Sequence, residues 1–276
     1  MAQTSTPFDG AKAYKAWEVD GKYFGDGREV ALLEHIYGHP LLHELRGNPQ
    51  KVLAAIDVFA QTVTGLINIG DTKGTIVTHL IDEHKPATIL ELGGYIGYSA
   101  IMFGDAMRRN GGKQYYSVEK NPLFAAVASS LVDLAGLRDT VRVVVGTGSE
   151  GIQRLFDDGI LQGKTQLGML FFDHHKPSYT PDLKLAEHLG FVGAGTVLVA
   201  DNMILPGNPP YAEWVRATTT DKQKMVGGTP KGEIFGSPNL EYKSRSVLSF
   251  EPSGMEDALE ITECIGIDHS LITVGG

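Results

Sequence analysis

The chain has 276 residues, of which 42% are hydrophobic and 21% are charged, and its net charge is −9. This acidic balance argues against a nucleic-acid-binding surface, which needs a basic patch. The single cysteine, Cys264, excludes an intrachain disulfide and a thiolate metal site. No apolar run is long enough to span a membrane, and residues 1–10 lack the layout of a signal peptide, so we expect a cytoplasmic protein.

The first third of the chain predicts an arm followed by helices. Residues 1–28 have no clear periodicity and are interpreted as an N-terminal arm. Apolar residues recur at helical spacing between residues 29 and 63. Gly47-Asn48-Pro49 separates two helices there, with Asn48 as the expected N-cap. A further helix is predicted over residues 74–84.

Strands and helices alternate from residue 88 onward. The predicted strands are 88–92, 114–118, 141–145, 167–172 and 195–200, and the predicted helices are 99–107, 122–135, 151–156 and 182–188. This alternation favours an α/β fold with a doubly wound, mostly parallel sheet. Two late strands, 247–250 and 259–262, flank a turn at 252–254 and predict an antiparallel hairpin at the sheet edge. Without a repeat or linker, residues 29–276 are expected to form a single domain.

Two acidic motifs follow neighbouring predicted strands. Asp173 comes directly after the strand 167–172, and Asp201-Asn202 follow the strand 195–200. Because ligands bind beyond the carboxyl ends of parallel strands, these side chains are expected to meet there. Two carboxylates and a carboxamide suit a hard cation such as Mg²⁺. The alternative is that Asp201-Asn202 only cap a helix.

Lys176 lies three residues after Asp173, which is unusual because a metal ion repels a cation. One use for it is as a general base, since a neighbouring positive charge favours the neutral amine. The alternative is a surface lysine that extends over the sheet edge. His174 and His175 point in different directions at a strand end, so stacking is expected rather than joint ligation of one metal.

A glycine turn follows the first strand and predicts a nucleoside ligand. Gly93, Gly94 and Gly97 allow the backbone to approach a ligand closely, and Glu119 ends the next strand, where it can accept from ribose hydroxyls. Either feature alone is also typical of a plain turn or a solvated acid. The spacing is not GxGxxG, which argues against an NAD-dependent oxidoreductase.

Over roughly residues 30–266 the sequence resembles the catechol O-methyltransferase family. The motifs that carry the resemblance occur in the family's order: residues 68–74, 90–100, 118–122, 135–137, Asp173-His174-His175-Lys176, residues 195–202, 206–207 and Leu240-Glu241-Tyr242. The resemblance implies a seven-stranded, Rossmann-like methyltransferase fold with added N-terminal helices. It also implies S-adenosylmethionine and Mg²⁺ as cofactors and a small catechol as the substrate. We expect the protein to be a monomer.

The resemblance further assigns roles to individual positions. It implies that Asp173, Asp201 and Asn202 bind the metal, that Lys176 is the catalytic base, and that Glu241 binds the second catechol hydroxyl. The implied cofactor-binding residues are Asn68, Ile69, Gly70, Glu91, Gly93, Tyr95, Ser99, Glu119, Lys120, Ser149, Asp173 and His174. The implied substrate-binding residues are Ile67, His175, Lys176, Asn202, Pro206, Leu240 and Glu241.

Several positions depart from the family pattern. His175 and Gly65 stand where the family has substrate-wall tryptophans, Ile67 replaces a methionine, and Ser149 replaces a glutamine near the adenine. Residues 217–239 form a longer insertion. The predicted activity is methyl transfer to one hydroxyl of a Mg²⁺-chelated catechol. The insertion and lost aromatic walls favour an alternative, a cation-dependent O-methyltransferase for larger vicinal-diol phenolics such as hydroxycinnamoyl esters. A remoter alternative is an inactive cofactor-binding protein.

Overall fold

A seven-stranded sheet lies at the centre of the computed structural model, which describes residues 8–160, 166–227 and 234–271. The strands are β1 Thr88–Leu92, β2 Gln114–Glu119, β3 Val141–Val145, β4 Met169–Phe172, β5 Val197–Ala200, β6 Leu240–Phe250 and β7 Glu256–Ile267. Their order across the sheet is β3-β2-β1-β4-β5-β7-β6. The first five pair in parallel, whereas β7 is antiparallel to both of its neighbours. The predicted parallel sheet with an edge hairpin is confirmed.

Helices cover both faces of this sheet. They are α1 Arg28–Tyr37, α2 Leu42–Leu45, α3 Pro49–Thr62, α4 Gly70–His84, α5 Tyr98–Arg109, α6 Pro122–Leu134, α7 Gly148–Asp157, α8 Tyr179–His188, α9 Pro209–Arg216 and α10 Thr219–Val226. Asn48 caps α3 as predicted, because its side chain accepts the backbone N–H of Lys51 at 3.1 Å. The helix α10 lies in the predicted insertion, of which residues 228–233 fall outside the described residues.

The sheet separates two apolar clusters because successive residues of a strand point to opposite faces. Phe171 and Val199 face the cluster that includes Val77 of α4, and Phe172 and Leu198 face the other. Asp201 continues the alternation of Val199. Its carboxylate therefore lies on the α4 side of the sheet, at the carboxyl end of β5.

The described part of the predicted N-terminal arm, residues 8–28, is hydrogen-bonded to α3 and to the β6–β7 turn, and its last residue, Arg28, begins α1. Tyr14 donates its backbone N–H to the carbonyl of Pro252 at 2.9 Å. The buried guanidinium of Arg28 donates to the carbonyls of Trp17 at 2.6 Å and Gly65 at 2.8 Å, and pairs with Asp26 at 2.7 Å. Within the described residues, no helix is long and apolar enough to cross a membrane.

Candidate functional site

The ends of three neighbouring strands bring the predicted metal ligands together. The backbone N–H of Asp173 donates to the carbonyl of Leu92, and that of Asp201 donates to the carbonyl of Phe172, each at 2.9 Å. These bonds hold the residues after β4 and β5 beside the end of β1. Asn202 follows in the left-handed region, with φ of 61°. One carboxamide and two carboxylates thus lie at one edge of the sheet.

Lys176 places its ammonium group among these oxygens. Its Nζ donates to Asp173 Oδ1 at 3.2 Å and to Asn202 Oδ1 at 2.5 Å. It also donates to the hydroxyl of Tyr179 at 2.7 Å, and that hydroxyl donates to the carbonyl of Asp201 at 3.3 Å. The oxygens of Asp173 and Asn202 therefore hold a cation already, and the predicted base lies directly beside two predicted metal ligands.

A second lysine lies on the far side of Asp201. Lys73 of α4 has no exposed surface, and its Nζ contacts Asp201 Oδ1 at 2.6 Å, Glu251 Oε1 at 2.7 Å and Asp257 Oδ2 at 2.9 Å. These three carboxylates have oxygens within 4.8 Å of one another. Because the ammonium contacts all three, this acidic cluster is neutralised in part by an internal cation.

Sequence reasoning missed Lys73, Glu251 and Asp257 as parts of the site. The sequence spacing of Lys73 and Asp257 could have indicated that they are buried. Lys73 is four residues before Val77, at the spacing that puts both on the apolar face of α4. Asp257 is two residues before Leu259 on β7, so it shares the buried face of that strand. A charged residue on the apolar face of a helix or strand indicates a buried ion pair, because charged side chains are rarely buried without a partner. Glu251, in the turn between two strands, carries no such mark.

The site carries more negative than positive charge. When all groups are ionised, four carboxylates, those of Asp173, Asp201, Glu251 and Asp257, outnumber by two the ammonium groups of Lys73 and Lys176, the lysines that contact them among the described residues. The pKa of Asp173 is raised to about 7 and that of Glu251 to about 8. Burial is the largest cause and the nearby Asp201 charge acts in the same direction, while the lysines oppose both. Burial alone would lower the pKa of Lys73, but its three carboxylates raise it above the ordinary value.

The glycine turn after β1 lies against the same site. Gly93 has φ of +98°, and a side chain there would collide with the carbonyl of Asp173. At the end of β2, the Glu119 carboxylate accepts the backbone N–H groups of Tyr95 at 2.8 Å and Asn121 at 2.7 Å. Each of its oxygens retains a second acceptor position. Glu119 is thus fixed and still able to accept from a ligand hydroxyl.

Two further predicted cofactor positions, Glu91 and Asn68, are buried and polar. Glu91 accepts from the hydroxyls of Ser99 and Ser117, and burial raises its pKa to about 7. Asn68 accepts the backbone N–H of Gly70 at 2.9 Å, but its buried Nδ2 has no hydrogen-bond partner among the described residues. A buried donor without a partner is costly, so this amide fits a position that contacts a polar ligand.

The remaining predicted cofactor positions differ in exposure. Ile69 is buried in the core, whereas Lys120 and Ser149 are exposed. His174 stacks on Tyr179 with ring centres 4.9 Å apart, and its Nε2 lies 2.8 Å from Asp182 Oδ2. Burial lowers the pKa of His174. The expectation that this histidine stacks on a ring is confirmed.

The predicted substrate positions are only partly brought together. His175 is exposed beside Lys176, Pro206 is exposed in the loop after Asn202, and Ile67 packs against the core. Leu240 and Glu241 do not reach the site. Glu241 pairs with Gly266, whereas Ala200, the last residue of β5, is in register with Glu260.

The assignment of Leu240 and Glu241 to the substrate site is therefore wrong. At about 3.4 Å per residue, Glu241 lies roughly 20 Å along the sheet from the end of β5. The motif containing it begins β6, whereas Glu251 directly follows the other end of that strand and reaches Asp201 through Lys73. The carboxylate that the hairpin brings to the site is Glu251.

Gly65, predicted to open the substrate wall, is closed off by the arm. A side chain at this position would overlap the carbonyl of Lys15 and approach that of Ala16 within 2.8 Å. Backbone of the N-terminal arm thus occupies the space that a side chain at residue 65 would fill. The missing aromatic group leaves no open gap at this point.

The chain is similar to several known methyltransferases. The family described as Methyltransferase domain matches residues 90–203. The catechol O-methyltransferase of Bos taurus is 35% identical over 225 residues, covering 79% of each chain. That of Mus musculus is 36% identical over 236 residues, which is 82% of this chain and 86% of the relative. An O-methyltransferase structure from Streptomyces achromogenes, in complex with SAM, is 21% identical and covers 79% of this chain and 89% of its own, with a TM-score of 0.54; it supports the fold.

Proposed function

Because the chain belongs to the catechol O-methyltransferase family, we propose that it transfers a methyl group from S-adenosylmethionine to one hydroxyl of a catechol held by Mg²⁺. The observation that carries this proposal is the position of Lys176 Nζ, 3.2 Å from Asp173 Oδ1 and 2.5 Å from Asn202 Oδ1. An amine at this position, beside hard oxygen ligands, becomes the proton acceptor that deprotonation of a metal-bound hydroxyl requires once it is in its neutral form.

The residues present fit a divalent cation. Asp173, Asp201 and Asn202 offer oxygen atoms, which Mg²⁺ prefers. Asp201 uses Oδ1 for Lys73 and for the backbone N–H of Asn202, while its Oδ2 accepts no hydrogen bond in the described part of the chain. A divalent cation also suits the negative charge that these carboxylates carry when they are ionised. When bound, the ion would act as a Lewis acid that favours the ionised hydroxyl and fixes its orientation.

Lys176 has the position of a general base. As a neutral amine, its Nζ would accept the proton of the catechol hydroxyl that is to be methylated. Tyr179 is fully buried, and its hydroxyl donates to the backbone carbonyl of Asp201. The hydroxyl oxygen therefore has a lone pair that can accept from Lys176. This contact holds the lysine side chain over the metal ligands. General bases contribute about 10²–10⁴-fold to turnover.

The turn after β1 and the end of β2 form the proposed cofactor position. Glu119 would accept from the ribose hydroxyls with the lone pairs left free by its two backbone bonds. Asn68 would donate its unpaired Nδ2 to the cofactor. S-adenosylmethionine supplies an electrophilic methyl group on its sulfonium. Holding that methyl group in line with the ionised hydroxyl contributes on the order of 7–11 kcal/mol in well-oriented reactions.

Methyl transfer to a simple catechol such as dihydroxybenzoate tests this proposal. We expect product with Mg²⁺ that is lost with excess EDTA; product that persists in EDTA would contradict the metal site. Lys176→Met should lower kcat by about 10²–10⁴-fold while calorimetry shows unchanged S-adenosylmethionine affinity. Lys224→Met, on the exposed face of α10, is the matched control. Normal turnover of the Lys176 variant would remove this residue as the base.

A further inference from the structure

We propose that Glu251 is a positioning residue that orients the carboxamide of Asn202 toward the cation. This inference rests on the proposed function of the site. The two ends of the Asn202 amide have different partners: Nδ2 donates to Glu251 Oε1 at 2.6 Å, and Oδ1 accepts from Lys176 Nζ at 2.5 Å. Only the oxygen end of an amide can bind a cation, so its orientation decides whether Asn202 is a ligand.

The Oε1 atom of Glu251 is suited to make this choice. It accepts from both Lys73 Nζ and Asn202 Nδ2, whereas an amide has a donor end and an acceptor end. If the Asn202 amide rotated by half a turn, its oxygen would face Glu251 and its NH₂ group would face the cation site. Both contacts would then be repulsive. Glu251 therefore favours the single orientation in which Oδ1 points toward the cation.

Glu251 is itself held in place. It is 5% exposed, and its Oε1 also accepts from Lys73 at 2.7 Å. Its backbone closes the turn between β6 and β7, with its N–H donating to the carbonyl of Met255 and its carbonyl accepting from Gly254, both at 2.8 Å. Because its backbone and its carboxylate are already held, Glu251 can orient the Asn202 amide without a further loss of its own conformational entropy.

Glu251 and Asp257 both accept from Lys73 Nζ, but their other contacts differ. Asp257 uses Oδ1 to accept the backbone N–H groups of Ile204 and Leu205, each at 2.9 Å, and so holds the loop after Asn202. Its nearest contact with the Asn202 amide is 3.4 Å. Lys73 also has Asp201 as a partner. Of these two acids, Glu251 therefore makes the shorter contact with the amide of Asn202.

Metal binding by the full-length protein tests the inference without relying on turnover. Mn²⁺ titrations followed by electron paramagnetic resonance should give a dissociation constant about 10–100-fold weaker for Glu251→Gln, as expected for loss of a residue that orients a ligand. The amide at position 251 can bind either end of the Asn202 side chain. Glu256→Gln, an exposed acid on the same hairpin, should leave Mn²⁺ affinity unchanged.

A double-mutant cycle separates positioning from general damage. Asn202→Asp alone places a second carboxylate against Glu251 and should weaken Mn²⁺ binding. Combined with Glu251→Gln, the new amide can donate to that carboxylate, so the double variant should bind more tightly than the sum of the single losses predicts. S-adenosylmethionine affinity should be unchanged in all variants.

Each outcome is decisive. Wild-type protein that fails to bind Mn²⁺ would overturn the metal site of the proposed function and this inference with it. Wild-type binding with an equal affinity in Glu251→Gln would overturn the positioning role alone. Parallel losses of Mn²⁺ affinity, cofactor affinity and melting temperature, without coupling in the cycle, would also overturn it, because they indicate only structural damage.

Discussion

Replacing Lys73 with methionine tests whether the acidic centre of the protein depends on an internal cation. The ammonium is fully buried and contacts Asp201, Glu251 and Asp257 at 2.6–2.9 Å. Methionine fills a similar volume but carries no charge. The three carboxylates would then remain buried, with oxygens within 4.8 Å of one another, and without their shared counter-ion.

The expected loss of stability follows from the burial of these charges. Removing one partner of a buried ion pair costs about 3–5 kcal/mol. Protonation of Glu251, whose pKa burial already raises to about 8, relieves part of this cost, so we expect about 3 kcal/mol at pH 7. For a chain of this size, that corresponds to a fall in Tm of roughly 6–12 °C. Carboxyl pKa values rise further without the lysine, so the defect should deepen from pH 6 to pH 9 as protonation becomes harder.

Urea denaturation of the metal-free protein measures this loss. Lys12→Met is the matched control, because Lys12 and Asp71 form an exposed pair at 3.5 Å, and exposed pairs contribute less than about 1 kcal/mol. Added Mn²⁺ should raise the Tm of Lys73→Met more than that of the control, since the unpaired carboxylates can bind it. A loss below about 1 kcal/mol, or one equal to that of the control, would refute the reasoning.

Three further outcomes are expected. Glu241→Gln should leave kcat and KM within about twofold because Glu241 lies at the far end of the sheet; a large loss of kcat would restore it to the site. Gly65→Ala should lower the free energy of unfolding by about 1–3 kcal/mol and make the arm more accessible to protease. Gly10→Ala, with open space around it, should be neutral in the same urea denaturation and proteolysis experiments. Equal stability of both variants would contradict the packing of the arm. Burial lowers the pKa of Lys222 from 10.5 to about 8, so the unfolded chain binds more protons between these values and stability rises with pH there. Relative to Lys222→Met, the wild type should gain up to about 3 kcal/mol from pH 8 to 10.5, and a flat difference would count against this burial effect.

Local sequence patterns predicted most of the strands and helices, and they predicted the residues of the site that follow β4 and β5. Strands β1 and β3 have their predicted bounds, and Asn48 caps α3, because apolar periodicity and capping depend on residues close in sequence. Asp173 and Asp201 could be placed together for a similar reason: each directly follows a buried strand, and parallel strands end at one edge of the sheet. A lysine three residues after Asp173 completed that prediction.

Tertiary structure decided what the hairpin contributes. The sequence around Glu241 matches a family motif, but its place in the sheet depends on the length of β6, which begins at Leu240 and not at Val247 as predicted. The pairing of Phe250 with Glu256 makes β6 eleven residues long and carries Glu241 away from the site. The same pairing brings Glu251 to Asn202 and Lys73, residues separated by 49 and 178 positions. Contacts between such distant segments arise from the register and layering of the sheet, and only the folded chain specifies them.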